Sequence, residues 1–321
     1  MTFLSYLLAV VAAGTNATAN VLQRKANRHE APELSMSPRL FVDLVRRPVW
    51  LAGFGAEVAS FFLMAAALGL GRLAAVQPIV VLELPLTLLG AAKVFGSNLG
   101  RREWVAAGAM TMGLAGLIGF LAPEGGDHGR ADGISWLLAT VATLALIGAA
   151  LVGGLVGTRP GSGARRPALL GLATGVTFGL TAAFMKGMTA GFAHGIVGVL
   201  GSWQTYAMAA SGAAGMFLMQ NALHAGRLLV AQPGVTLADP AVAILWGVAV
   251  FHERTTGGVD LVLAIVSAAV MAGATLALAR SPLLTDEGAA EEGGEKPPSV
   301  GGDRDGDRPP AEVNSAATTR R

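Results

Sequence analysis

"FLMAAALGLGRLAAVQPIVVLELP", Phe62 to Pro85, returns 155 positions later as "FLMQNALHAGRLLVAQPGVTLADP", Phe217 to Pro240, without a gap. Thirteen of the 24 positions are identical, among them a Gly-Arg-Leu, a Gln-Pro and the closing Pro. Shared apolar composition does not place such residues at fixed spacing, so the chain reads as a duplication. The match continues more weakly outward, with Gly14 and Lys25 corresponding to Gly175 and Lys186 at a shift of 161.

The material duplicated is membrane-like. Of 321 residues, 53% are apolar and 14% charged, against roughly a quarter charged in ordinary soluble domains. A helix rising 1.5 Å per residue needs about 20 apolar residues to cross roughly 30 Å of hydrocarbon. Nine stretches qualify, at about 2–22, 48–70, 73–93, 104–121, 134–156, 167–187, 203–223, 228–250 and 259–279. Spans one to four then correspond to six to nine, with the fifth as connector. Equivalent helices lie an odd number of crossings apart and must run in opposite directions.

The expected architecture is therefore an all-α polytopic membrane protein of about nine transmembrane helices, in two inverted four-helix repeats joined by a linker helix. The first repeat spans residues 1–121, the linker helix and its loops 122–166, and the second repeat 167–280. Residues 281–321 carry nine acidic and five basic side chains and almost no large apolar ones, the composition of a disordered cytoplasmic tail. Pro38 to Val45 can form a short interfacial helix, with Leu40, Phe41 and Leu44 on one side.

Basic residues give the orientation. Arg24, Lys25, Arg28, Arg39, Arg46 and Arg47 follow the first span, Arg101 and Arg102 the third, Arg159, Arg165 and Arg166 the fifth, and Arg280 the ninth. The positive-inside rule puts those loops in the cytoplasm, the N-terminus outside and the C-terminus inside the cell membrane. The opening apolar segment lacks a basic start and reads as a retained span, not a signal peptide. The basic clusters are topology signals, and no nucleic-acid partner is expected.

Chemistry is sought among ionisable groups at mid-membrane depth, which cost about 2.5 to 3.5 kcal/mol at a helix centre and so face a bundle interior or a wet cavity. Glu57, Glu83 and Asp239 are such groups. Glu83 and Asp239 stand in neighbouring positions of the two copies, near Pro85 and Pro240, and in inverted halves they approach the centre from opposite sides. They are either binding groups or structural carboxylates. Pro78, Pro85, Pro233 and Pro240 each remove a backbone donor, and broken helices lining a cavity are where transporters bind cargo.

Asn16 and Asn20, one turn apart with Gln23 nearby, give the first span a polar face. Gln77 and Gln232 are repeat equivalents beside the first prolines. Gln220 and Asn221, with His224, replace apolar residues of the first copy and read as either cargo-selecting groups or interhelical hydrogen bonds. Lys186 is read as a snorkelling residue at a span end, and Arg72 and Arg227 as interfacial anchors. Trp136, Trp203, Tyr206 and Trp246 are candidates for cargo walls or interfacial anchors. Gly171, Gly175 and Gly179 recur every fourth residue, the spacing of close helix packing.

Cysteine is absent, which excludes disulfides, thiolate metal sites and cysteine nucleophiles. No lysine follows a glycine, so there is no phosphate-binding loop, and zinc-protease and G-x-S-x-G motifs are missing. Neither an enzyme nor a cofactor is expected.

"ALGLGRLAAVQPIVVLELP" and "ALHAGRLLVAQPGVTLADP", followed by "FHERTTGGVDLVLAIVSAAVMAGATL", resemble the drug/metabolite transporter superfamily and its EamA-like members. There the proline-bearing helix runs into a Gly-Glu-Arg-like turn, here His252-Glu253-Arg254, before a closing helix rich in Gly and Ala. The typical member has ten helices. Nine spans and "LLGLATGVTFGLTAAFMKG" are similar to the NIPA-type magnesium transporters of the same superfamily. The resemblance implies a secondary transporter of a small solute, with proton coupling as a hypothesis, or a carrier of Mg²⁺ or another divalent cation using Glu57, Glu83 and Asp239. A non-transporting scaffold whose tail recruits partners is the remaining reading.

Overall fold

The computed structural model describes residues 2–27, 47–96, 98–126, 131–155, 165–225 and 228–280. The proposed tail (281–321) and interfacial helix (Pro38–Val45) lie outside the described residues. The elements are α1 (Thr2–Asn27), α2 (Pro48–Leu70), α3 (Leu73–Ile79), a 3-10 turn (Val80–Leu82), α4 (Glu83–Phe95), α5 (Arg101–Leu121) and α6 (Gly133–Leu155). They continue with α7 (Arg165–Thr189), a 3-10 turn (Ala190–His194), α8 (Gly195–Gly201), α9 (Trp203–Ala225), α10 (Leu228–Ala249) and α11 (Val259–Ala279). Two short strands, β1 (Glu124–Gly125) and β2 (Glu253–Arg254), pair antiparallel, Glu124 opposite Arg254.

Among the described residues seven helical stretches are long and apolar enough to cross a membrane, and Pro233–Ala249 is a shorter apolar helix. With Leu, Val, Ile and Phe side chains exposed along α2, α6 and α11, the chain is an all-α polytopic integral membrane protein: no aqueous protein displays that much apolar helix surface.

Small residues decide which helices meet. α7 is the most buried of the long helices and packs on α6, α9 and α10. A side chain added at Gly171 would collide with the Ala231 backbone, and a Cβ at Gly175 or Gly179 would come within 2.6 Å of the Val235 carbonyl or 2.7 Å of the Asp239 carbonyl of α10. The four-residue glycine spacing thus brings two backbones together, as small-residue stripes do in bilayers. α1 lies on α2 in the same way, Gly53 resting against Ala19 and Gln23 while Ser60 Oγ donates to the Ala12 carbonyl at 2.9 Å. α5 packs on α11 with Gly113 against Ser267 and Met271 and Gly116 against Ser267. The contacts pair rising with falling numbers, so α5 and α11 run antiparallel. The same holds for α3 and α10, where Ala74 lies near Gly247 and Gln77 near Asp239.

The prolines act differently in the two copies. Pro78 cannot donate and would crowd the carbonyl four residues earlier; the chain tightens into the turn at Val80–Leu82 and restarts at Glu83. Pro85 then sits in a first turn, where no donor is needed. In the second copy Pro233 and Pro240 lie inside one uninterrupted helix, α10. The expected break is confined to the first copy, because close contact with α7 runs along α10 through both prolines.

One end of the molecule is tied by a buried ion pair. Glu253, 2% exposed, accepts hydrogen bonds from the Leu73 and Ala74 backbone nitrogens at 2.7 and 2.9 Å, and so caps the start of α3. Lys186 of α7, 4% exposed, stands 3.8 Å from Glu253 and donates to the Gly71 and Leu68 carbonyls at 2.6 and 3.3 Å, at the end of α2. Each charge meets the helix end whose dipole it complements. The reading of Lys186 as a snorkelling residue is corrected: beyond Thr189 the chain turns into a 3-10 turn and α8, and the ammonium finds acceptors inside the bundle. Arg72 donates from Nε to the Gly125 carbonyl at 3.0 Å, tying β1 to the same junction.

Aromatic rings fill the space beside this pair. Trp136 has centroids of Phe184, Trp203, Trp246 and Phe251 within 5.2 to 5.8 Å, and the Lys186 ammonium lies 5.4 Å over Phe251. Trp136 and Trp246 are buried and Trp246 donates to Thr143 Oγ1 at 3.0 Å. These two are packing residues, neither interfacial anchors nor walls at the carboxylates, whereas Trp203 and Tyr206 are exposed.

Gly175→Val should destabilise the protein by about 1–3 kcal/mol through overpacking, while Gly148→Ala, with open space around it, leaves the melting temperature unchanged or raised; thermal unfolding in detergent reads both. Glu253→Ala strands a buried ammonium, for an expected loss of about 3–5 kcal/mol, and the double change Lys186→Met with Glu253→Gln recovers part of it. A double variant no more stable than Glu253→Ala would contradict the pairing.

Candidate functional site

The amide stripe of α1 is built by helical spacing: Asn16, Asn20 and Gln23 fall at i, i+4 and i+7 and therefore share one face. That face grips two carboxylates. Asn16 Nδ2 donates to Glu83 Oε2 at 2.7 Å and Asn20 Nδ2 to Glu83 Oε1 at 2.6 Å. Gln23 Nε2 donates to Glu57 Oε2 at 2.7 Å. Glu83 can be reached because it begins α4, just after the 3-10 turn that follows Pro78.

The second copy contributes Asp239 from the middle of α10. Gln77 of α3, buried beside Pro78, donates from Nε2 to both Asp239 carboxylate oxygens, at 3.0 and 3.2 Å. The two repeat-related acids thus sit on antiparallel segments and both face protein partners. Among the described residues no Lys, Arg or His pairs with Glu57, Glu83 or Asp239; the donors that hold them are neutral amides.

Exposure is graded along this track. Glu57 and Asn20 are exposed, Glu83, Asn16 and Asp239 are intermediate, and Gln77 is buried. The track ends toward the Lys186–Glu253 pair, where Ala74, one turn before Gln77, donates to Glu253. A chain of polar groups therefore leads from the surface at the α1–α2 seam into the bundle and stops at a closed end.

Two atoms along it lack partners. Gln77 Oε1 and Thr87 Oγ1 are buried with no hydrogen-bond partner among the described residues. Thr87 is one turn beyond Glu83 on α4, on the same side of that helix.

Of the residues read as binding groups, the structure brings together Asn16, Asn20 and Glu83, links Gln77 to Asp239, and sets Glu57 against Gln23. Gln220 and Asn221 do not join them. Both are exposed on α9, and Asn221 Nδ2 turns onto the Phe217 carbonyl of its own helix at 2.7 Å. A difference between the copies at these positions reflects a surface-facing side, since the α9 face that meets α7 is formed by small residues such as Gly215 and Ser211. The Gln232 and His224 side chains lie outside the described residues. Sequence reasoning left Gln23 out of the binding set although its i+7 position was the signal, and it gave Glu253 only a place in a turn. The signal for Glu253 was its stand immediately before the closing helix, opposite the shared Gly-Arg-Leu.

No group of three His, Cys, Asp or Glu side chains able to hold a metal ion is present among the described residues. Glu57, Glu83 and Asp239 therefore do not form a single three-carboxylate centre. The arrangement can bind and release a proton or a donor-bearing solute, because its acceptors are held by donors that can be exchanged without breaking an ion pair.

No family model matches the chain, and no solved structure matches it. A curated relative from Corynebacterium glutamicum, named as an uncharacterized protein, is 30% identical over 255 residues, which cover 78% of this chain and 86% of the relative. The likeness therefore runs through most of both chains, and the protein belongs to the same family as this uncharacterized Corynebacterium glutamicum protein.

Proposed function

We propose that the chain is a secondary transporter that carries a small solute across the cell membrane by alternating access. The observation that carries this reading is the pair Glu83 and Asp239: repeat-related carboxylates on antiparallel helices, turned inward and held by amides. Midplane charge is expensive, and a scaffold role gives it no use. Antiparallel contacts between α3 and α10 and between α5 and α11 support two inverted four-helix repeats, with nine crossings in all. The resemblance to EamA-like drug/metabolite transporters points the same way.

With the N-terminus outside, the Lys186–Glu253 end faces outward and the exposed Glu57–Gln23 end faces the cytoplasm. In this reading the Lys186–Glu253 pair closes the outer side. Rocking of the halves would break one seal as the other forms. Protons are the simplest coupling ion, since a carboxylate between neutral amides can exist charged or neutral. A magnesium carrier in the manner of the NIPA-type branch draws less support, because Mg²⁺ demands convergent oxygen ligands in octahedral array and the three acids are not gathered.

In proteoliposomes, Glu83→Gln and Asp239→Asn are each expected to lower gradient-driven solute uptake at least about tenfold, the scale of one lost charge-assisted hydrogen bond, with the melting temperature of the purified protein kept within a few degrees. Unchanged uptake in both variants would remove the transport role of the pair.

A further inference from the structure

Glu253 and the three acids of the track are held in opposite ways. Glu253 meets a lysine at 3.8 Å and two backbone donors, so its charge is matched for good. Glu57, Glu83 and Asp239 meet amide nitrogens of Gln23, Asn16, Asn20 and Gln77, which satisfy geometry and, among the described residues, bring no positive charge. A charge drawn out of water without a counter-ion is costly, and Glu83 and Asp239 are only partly exposed. The site is left electron-rich.

A second observation concerns the neutral groups beside the acids. Gln77, 6% exposed, aims its amide at Asp239, and its Oε1 has no donor. Buried carbonyl oxygens are nearly always paired, so this acceptor wants a hydrogen. Thr87 Oγ1, one turn past Glu83, is buried and unpartnered as well. The missing complement is thus positively charged and carries directional hydrogens.

Resting on the transport reading above, we infer that the cargo is a small organic ammonium bearing N–H groups, which bonds to Asp239 and to Gln77 Oε1 and exchanges with the asparagine donors at Glu83. A bare divalent metal would need several oxygens at one centre, which the described residues do not gather. A quaternary ammonium has the charge but no hydrogen for Gln77, and it is best held by aromatic cages. The clustered rings here stand at Trp136, Phe184 and Trp246, beside Lys186, and not at the acids. Anionic solutes meet like charge throughout the track.

The test uses the full chain in proteoliposomes on a solid-supported membrane, with concentration jumps of four probes: n-propylammonium, tetramethylammonium, propionate and Mg²⁺. The expected result is a saturable current with propylammonium alone. Gln77→Leu should weaken its apparent affinity at least about tenfold, the worth of one hydrogen bond to a charged group, and the melting temperature is read alongside because the change also removes the donor to Asp239. A current with propionate or Mg²⁺ in place of propylammonium, or equal currents with tetramethylammonium, would overturn the ammonium assignment and leave transport standing. Silence with all four probes overturns the assignment too. If counterflow of a mixed solute extract is also absent from the same vesicles, the transport reading falls with it.

Discussion

The buried pair of Lys186 and Glu253 ties the end of α2 to the start of α3. Removing both ions from water is expensive, and the pair is tolerable because nearly every hydrogen and lone pair finds use: the ammonium on two carbonyls at the end of α2, the carboxylate on two nitrogens at the start of α3. A short β-pair places Glu253 there. The space is tight, since a side chain at Gly247 would collide with the carboxylate and a Cβ at Gly126 would come within 2.8 Å of Glu253 Cγ. The tight α2–α3 connection leaves helix ends that need such partners, and the second half of the chain supplies them to the first.

From that fixed end the rest of the track follows. Capping sets the height at which α3 begins, Pro78 sets how far it runs before tightening, and the restart delivers Glu83 to the amide face of α1. α10 reaches the same depth from the other direction because glycines of α7 hold its backbone close through both prolines. Polar groups thus gather in the middle of an apolar bundle without a cation among the described residues, bounded at one end by a matched pair and graded toward exposure at the other.

Much of this was legible in the residues. The sequence repeat is visible in the matched Gly-Arg-Leu, Gln-Pro and closing Pro. Helix positions were legible, because apolar length sets them: the stretches read at 48–70 and 259–279 coincide with α2 and α11. The amide face of α1 was visible from spacing alone, although its partner was not, since pairing between α1 and α4 depends on the height at which α3 starts. Lys186 was misjudged for a physical reason. A lysine near a span end reaches water when the chain leaves the membrane there, and here the chain folds back through Ala190–His194. Gln220 and Asn221 drew attention as differences between copies, yet a polar substitution on an outward side is as easily a surface matter, which sequence comparison of two halves does not separate.

The naturally cysteine-free chain allows the most direct measurement of whether the acids lie in a pocket opened from alternate sides. A single cysteine replacing Thr87, beside Glu83, is to be probed with a membrane-impermeant thiol reagent applied from each face of sealed vesicles. A transporter sealed by Lys186 and Glu253 predicts labelling from the cytoplasmic face in the parent and added labelling from the outer face once Glu253→Gln weakens the seal. Labelling from neither face in either background would contradict it.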